Sequence, residues 1–216
     1  GEVVERPASV VKELVDNAID SGATTVAVEI SGAGLDLIRV TDNGCGIPSD
    51  QVALAFSRFA TSKISSHLDL EGINTLGFRG EALPSISAVS DVTMITNSLD
   101  QQHGTRIELH FGKIQEISIV GSNRGTSVVI RHLFQNVPAR LQFLKSPSTE
   151  ISRIRTLMHQ FAMAFPEVKF DLEIDERISF VSSGTGDLKK TYSSIYGPKL
   201  ASAMLEIPVN ESHYDG

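Results

Sequence analysis

The chain has a single cysteine, Cys45, in 216 residues. An internal disulfide is therefore excluded, and a reducing compartment is the simplest setting. No apolar run approaches the ~18 residues that a membrane-spanning helix needs, so no membrane partner is expected. No signal peptide is visible. The sequence opens GEVVERPAS without a methionine, so a preceding N-terminal piece is expected. Basic residues are outnumbered, 19 Lys and Arg against 26 Asp and Glu, for a net charge of −7. A dedicated nucleic-acid clamp relies on neutralising phosphates with a basic surface. Any DNA contact is therefore expected to be local, weak, or made by parts outside this sequence. Arg131, Arg140 and Lys145 form a modest basic cluster in RHLFQNVPARLQFLK, and a solvated face accounts for it. No GxxxxGKS or GxxxxGKT occurs, which excludes a P-loop. The six histidines show no metal-ligand spacing with acids or with Cys45, and no Ser–His–Asp order stands out. Cys45 itself reads as a small filler beside a turn.

What is present is an ordinary globular balance, 41% hydrophobic and 21% charged, long enough for one sizeable domain and a piece of a second. Val11, Leu14, Val15 and Ala18 share one face of a helix expected over residues 8–20. TTVAVEIS and LIRVTDNG read as strands joined by the turn GAGLD, an antiparallel hairpin. SDQVALAF reads as a helix capped by Ser49. Residues 57–80 carry no sustained period, and irregular stretches of that length are often lids. Helix resumes at EALPSISAVS, with Pro84 in its first turn. Four strands follow, in DVTMITNS, GTRIELHF, KIQEISIV and GTSVVIRHL. STEISRIRTLMHQFAMAF is an amphipathic helix. KFDLEID and RISFVSS form a hairpin around Glu176, GTGDLKK reads as a linker, and TYSSIYGPKLASAML begins another helix. The fold expected is an α/β two-layer sandwich: a mixed, largely antiparallel sheet with helices on one face.

Four constellations carry chemistry. In KELVDNAIDSGA, Glu13, Asp16, Asn17 and Asp20 occupy one narrow stripe of the first helix, at i, i+3, i+4 and i+7. A carboxylate there can take a proton from water, and an amide oxygen one turn on can ligate a hard cation such as Mg²⁺. A solvated acidic face explains the same pattern when it is taken alone. In VTDNGCGIP, Asp42 ends a strand and can accept a hydrogen bond from an exocyclic amine such as adenine's, while Gly44 and Gly46 let a backbone approach closely. Asp-Asn-Gly is also ordinary turn chemistry. In NTLGFRGEAL, Gly77 and Gly80 can free backbone N–H groups for an oxyanion, at the positive end of a helix that begins near Glu81. Thr61, Ser62 and Lys63 add hydroxyls and a cation from the lid. In RGTSVVI, Thr126 begins a strand and can support a base through its hydroxyl.

The order of these four resembles the GHKL (Bergerat-type) ATPase superfamily. Within it, GEVVERPASVVKELVDNAIDSGAT, DNGCGI, ATSKI, GFRGEAL and VPARLQFLK are similar to the MutL family of DNA mismatch-repair proteins, from Gly1 to about Lys145 and weakly beyond. GFRGEAL with PASVVKEL separates this family from Hsp90-type chaperones, type II topoisomerases and sensor kinases. The resemblance implies that Glu13 is the general base for the attacking water and that Asn17 ligates Mg²⁺. It implies that Asp42 reads adenine, with Gly46 beside the base and Thr126 supporting it. Thr61, Ser62 and Lys63 would reach ATP from the lid, and Leu76, Gly77, Phe78, Arg79, Gly80 and Glu81 would wrap its phosphates. Arg79 fits a structural ion pair equally well.

The implied cofactors are ATP and Mg²⁺. The implied partners are a second copy, joined through N-terminal domains when ATP is bound, together with a mismatch-recognition protein, other repair factors and, weakly, DNA. Location would be the bacterial cytoplasm or a eukaryotic nucleus. Residues 1–184 would form the ATP-binding domain, with a lid at about 57–80. Residues 185–216 would be a linker and the start of a ribosomal-protein-like second domain. In the family that domain supplies a lysine to the γ-phosphate, and this sequence stops before it, so nucleotide binding is expected to be more robust here than hydrolysis. An ATP-dependent scaffold with negligible turnover, or another GHKL ATPase, are the alternatives.

Overall fold

The computed structural model describes residues 4–57 and 82–203. Eight strands form one sheet in the order β5-β4-β3-β6-β2-β1-β7-β8. They are β1 (Thr25–Ser31), β2 (Leu37–Asp42), β3 (Asp91–Asn97), β4 (Gly104–His110), β5 (Lys113–Val120), β6 (Gly125–Arg131), β7 (Lys169–Ile174) and β8 (Arg177–Val181). The β1–β7 pair is parallel and every other pair is antiparallel. That is the mixed, largely antiparallel α/β sheet expected.

The helices are α1 (Pro7–Asp20), α2 (Ala82–Ser87), α3 (Pro138–Phe143), α4 (Pro147–Ala164), α5 (Leu188–Tyr196) and α6 (Pro198–Ala201). Period-2 alternation gives each inner strand one buried face: Val26, Val28 and Ile30 on β1, Ile38 and Val40 on β2, Val128 and Ile130 on β6. Against these pack Val10, Val11, Leu14, Val15 and Ala18 of α1 and Ile154, Met158 and Phe161 of α4. The other face of the sheet is polar. Arg39 donates to Glu29 across β2 and β1 at 2.8 Å. Thr41 and Ser127 share a 2.8 Å hydroxyl contact across β2 and β6. One apolar and one wetted face make a two-layer arrangement. Among the described residues no helix is long and apolar enough to cross a membrane.

The structure departs from the sequence reading in three places. SDQVALAF is turns and a single 3₁₀ turn, Leu54–Phe56, without a helix. Ser49 does not cap it; its hydroxyl accepts from the Gln101 amide at 2.7 Å. Only Val52 and Phe56 are buried there, a spacing that supports one anchored turn and gives no apolar stripe for a longer helix. VPARLQFLK contains the short helix α3, started by Pro138 in its first turn, with no buried residue to mark it by periodicity. The stretch read as a linker ends in helix: the Asp187 side chain accepts from the Lys190 amide and starts α5 at Leu188. The same bond is the first cause holding the Asp187 carboxyl below its ordinary value. Gly197, at φ +90, then separates α5 from α6. α5 packs on α4 and β8, and the His159 ring lies edge-on between Phe180 and Tyr196.

The two faces respond differently to truncation. Ile130→Ala, at a fully buried position, is expected to lower unfolding free energy by about 2–5 kcal/mol. Glu29→Ala removes a pair whose side chains are more than a third exposed and is expected to cost at most about 1 kcal/mol. Urea denaturation of both variants checks the assignment; equal losses would contradict it.

Candidate functional site

The geometry of the site begins where β2 ends. Register pairs Asp42 with Val26 of β1 on one side and with Thr126 of β6 on the other. Its side chain folds back to accept the Gly44 amide at 2.8 Å. Burial is the first influence on this carboxyl and raises its pKa above the ordinary 3.8; hydrogen bonds from Gly44, Thr126 and Ser21 partly oppose that. An acid so placed is poised to accept from a donor brought to the open side of the strand end.

The loop that follows is fastened to the start of β1, to the end of α1 and to β3. The Asn43 carboxamide oxygen accepts from the Thr24 and Thr25 amides, both at 2.9 Å, and its NH₂ donates to the Thr24 hydroxyl at 2.8 Å. The Cys45 amide donates to the Ser21 carbonyl at 2.9 Å. A Cβ on Gly44 would collide with Ser21, which is how closely the loop approaches the helix end. Gly46 adopts φ +69, and a Cβ there would collide with the Asn97 carbonyl, so this position requires glycine on both counts. Ile47 then donates to the Thr96 hydroxyl at 2.8 Å.

Thr96 ties the floor together. Its hydroxyl contacts that of Thr126 at 2.9 Å and the Gly125 carbonyl at 3.3 Å. Thr126 is therefore held by two routes, the strand register and Thr96. Gly125, at φ +110, lies so close to Asp42 that a Cβ would meet the Asp42 carbonyl. Asn97 is buried, donates to the Ser122 carbonyl at 2.9 Å, and has a side-chain oxygen with no partner among the described residues.

The last turn of α1 stands beside this loop because Ser21 caps it: the Ser21 amide donates to the Asn17 carbonyl at 3.0 Å, and its hydroxyl donates to the Ala18 carbonyl at 2.7 Å. Asn17 is half-buried, and the Asp20 carboxyl is raised by burial first and by the Asp16 charge second. Glu13 sits one further turn up, about 6 Å along the axis from Asn17 at the helical rise. Its side chain is 22% exposed, with Lys12 Nζ at 3.8 Å. Lys12 lies closer to Asp16, at 2.7 Å, so the stripe is a mixed-charge surface.

Five of the residues singled out from the sequence thus have described positions: Asp42, Gly46 and Thr126 around one strand end, and Asn17 and Glu13 on the helix fastened to it. Thr61, Ser62, Lys63, Leu76, Gly77, Phe78, Arg79, Gly80 and Glu81 lie outside the described residues. Sequence reasoning missed Thr96 and Asn43. Thr96 sits in DVTMITNS like any β-branched strand residue, and only register reveals it as the link between Ile47 and Thr126. Asn43 carries the Asx-turn signature in Asp-Asn-Gly, a signal available in the sequence. A second polar cluster was also missed: His110 and His132 both address the Asp91 carboxylate, at 2.6 and 2.8 Å. It sits at the opposite end of β3 from Thr96, and no cluster of three or more His, Cys, Asp or Glu side chains placed to hold a metal ion occurs among the described residues.

Comparisons with known proteins address the same architecture. The family model described as histidine kinase-, DNA gyrase B-, and HSP90-like ATPase matches residues 2–136. The DNA mismatch repair proteins MutL of Pediococcus pentosaceus and Desulforamulus reducens are 47% and 49% identical, each over 96% of this chain and 32% of the relative. The chain therefore spans about a third of the length of these curated relatives. Among solved structures, the Aquifex aeolicus MutL ATPase domain complexed with ADP is 34% identical with a TM-score of 0.71, over 90% of this chain and 70% of that one. The 43K ATPase domain of Thermus thermophilus gyrase B, at 20% identity and TM-score 0.54, shares the fold over 82% of this chain and 46% of its own. The match of sequence and fold along nearly all of its length places the chain in the MutL family of the histidine kinase-, DNA gyrase B- and HSP90-like ATPases.

Proposed function

We propose that this chain is the ATP-binding and ATP-hydrolysing part of a DNA mismatch-repair protein. The observation that carries the reading is the strand end of β2. A half-buried acid, a glycine that lets the loop close against the Asn97 carbonyl, and a braced threonine meet there, beside a helix bearing a carboxylate and an amide one turn apart. Asp42 accepts from the adenine amine and Thr126 supports the base. Asn17 stands nearer the loop than Glu13, so it meets the phosphates first. Glu13 takes the proton of the water that attacks the γ-phosphorus in line, and ADP and phosphate result. The lid residues Thr61, Ser62 and Lys63 and the loop from Leu76 to Glu81 would contact the nucleotide from above.

Magnesium fits this donor set. Mg²⁺ favours hard oxygens, keeps several waters, and is commonly held by one or two protein oxygens plus phosphates. The Asn17 amide oxygen supplies one such ligand. The ion would neutralise charge developing on the phosphate oxygens.

ATP binding would bring two copies together through their N-terminal domains and change contacts with a mismatch-recognition protein and other repair factors. Hydrolysis would reset them. The ATP-binding domain would extend to about residue 184, with a second domain beginning in 185–216. The location would be the bacterial cytoplasm, at the nucleoid during repair.

Three measurements test the roles. In the full-length protein, Glu13→Ala is expected to keep ATP-analogue binding while hydrolysis falls at least about 100-fold, the lower range of general-base contributions; unchanged turnover would remove Glu13 as the base. Asn17→Ala should abolish the gain in nucleotide affinity that Mg²⁺ gives, leaving the circular dichroism spectrum unaltered; a titration matching the parent would take Asn17 out of the site. Asp42→Asn should lose nucleotide binding yet gain stability relative to the parent as pH rises. The sign follows from the raised carboxyl pKa: both folded and unfolded Asp42 are protonated below 3.8, and above it the unfolded chain ionises first, so the parent loses stability until the folded carboxyl also ionises. Thermal melts from pH 3.5 to 7 would show the gap opening, and a gap that closes as pH rises would contradict the assignment.

A further inference from the structure

Glu150 is the one acidic or basic side chain among the described residues that is fully buried, at 2% exposure. It lies in the first turn of α4, where the helix dipole favours a negative charge. Its Oε1 accepts from the Lys145 amide at 3.2 Å and faces Arg6 at 3.9 Å and Arg153 at 4.0 Å. Its Oε2 has no hydrogen-bond partner among the described residues. Burying a carboxylate with one oxygen unsatisfied is unfavourable. Capping α4 does not account for it, since the Ser146 hydroxyl already accepts from the Thr149 amide.

Arg6 is the distinctive partner. It is the residue immediately before α1, whose N-terminus has no side-chain cap of its own. Two residues earlier, the Val4 carbonyl accepts from Arg140 Nη1 at 2.8 Å, and the Arg140 guanidinium rests 5.7 Å from the centre of the Phe134 ring. The entry to α1 is thus gripped twice, by an arginine of α3 and by a buried acid of α4. The exit is gripped by Ser21 against Cys45. Between these grips lies the stripe with Glu13 and Asn17. Losing the exit grip would disturb the loop that carries Asp42 and Gly46. Losing the entry grip would tilt or slide the part of α1 that bears Glu13, two turns from Arg6, while leaving the adenine pocket in place.

We propose that Glu150, acting through Arg6, is a positioning residue that sets Glu13 to take the proton of the attacking water and has little part in holding the nucleotide. This rests on the ATPase reading above. Arg153, which faces the same oxygen but belongs to α4, serves as the control.

The experiment compares Glu150→Gln, Arg6→Gln, the double variant and Arg153→Gln in the full-length protein, reading kcat for ATP hydrolysis, analogue affinity and melting temperature. Glutamine keeps the volume and the bond from the Lys145 amide but removes the charge facing Arg6. The expected result is a kcat about tenfold lower in Glu150→Gln and Arg6→Gln, affinity within about twofold, a double variant no slower than the slower single, and Arg153→Gln at the parental rate. Arg6 is about a third exposed, so Arg6→Gln keeps the test decisive if Glu150→Gln does not fold. Parental kcat in the folded variants, or a parallel loss of rate and affinity, would overturn the proposal. Absence of hydrolysis in the parent would sink the ATPase reading, and retained turnover in Glu13→Ala would sink the role of Glu13; parental kcat in Glu150→Gln and Arg6→Gln alone would sink this inference only.

Discussion

The Asn43 carboxamide closes the gap between the end of β2 and the start of β1, and the rest of the site depends on it. With one oxygen it takes two backbone amides, and with its nitrogen it reaches the Thr24 hydroxyl. That bridge forces the chain after Asp42 to turn toward Ser21 instead of running on as a strand. Once it turns, the Cys45 amide can reach the Ser21 carbonyl, and the helix end and the strand end become one unit. Without such a bridge, Asp42 would sit on a frayed edge and Gly46 would have no fixed distance from Asn97.

The strand pairing supplies the second constraint. β2 lies between β1 and β6, so Asp42 inherits two neighbours by register, Val26 and Thr126. β3 pairs with β6, which brings Thr96 beside Thr126. The site is therefore assembled by four strands adjacent in the sheet, of which β3 and β6 come from far along the chain. Its side chains come from the rigid layer and its glycines from the turn. This division suits a nucleotide site, since rigid elements fix orientation while glycines permit close backbone approach.

Much of this was legible in the sequence, for reasons that can be named. α1 shows itself by four apolar residues at helical spacing, and the β1–β2 hairpin by β-branched strands around a glycine turn. Both match the structure within a residue or two. SDQVALAF misled because Ser49 imitates a cap, whereas its hydroxyl is taken by the Gln101 amide. α3 escaped because it buries nothing, so no period marks it. The start of α5 lies three residues before the helix expected from the sequence, because Asp187, in a polar stretch that reads as linker, is its cap. The bridging roles of Thr96 and of Asp91 between two histidines were beyond sequence reasoning, since each depends on which strands become neighbours.

A site of this kind is locally unfavourable. It keeps a carboxyl in partial burial at Asp42, left-handed backbone at Gly46 and Gly125, and an Asn97 amide oxygen with no partner among the described residues. None of these helps the empty protein fold. They are tolerated because the layer beneath is well packed, with Ile38, Val40, Val128 and Ile130 buried on the strands that carry the site. Glu150 belongs in the same class, a buried charge with one oxygen unpartnered among the described residues, yet it sits at the far end of α1. Two unfavourable sites joined by one rigid helix are easier to understand as parts of one device than as separate accidents. On the proposed ATPase reading, the helix would be the element through which an event at the phosphates and the placement of the chain before Pro7 constrain each other.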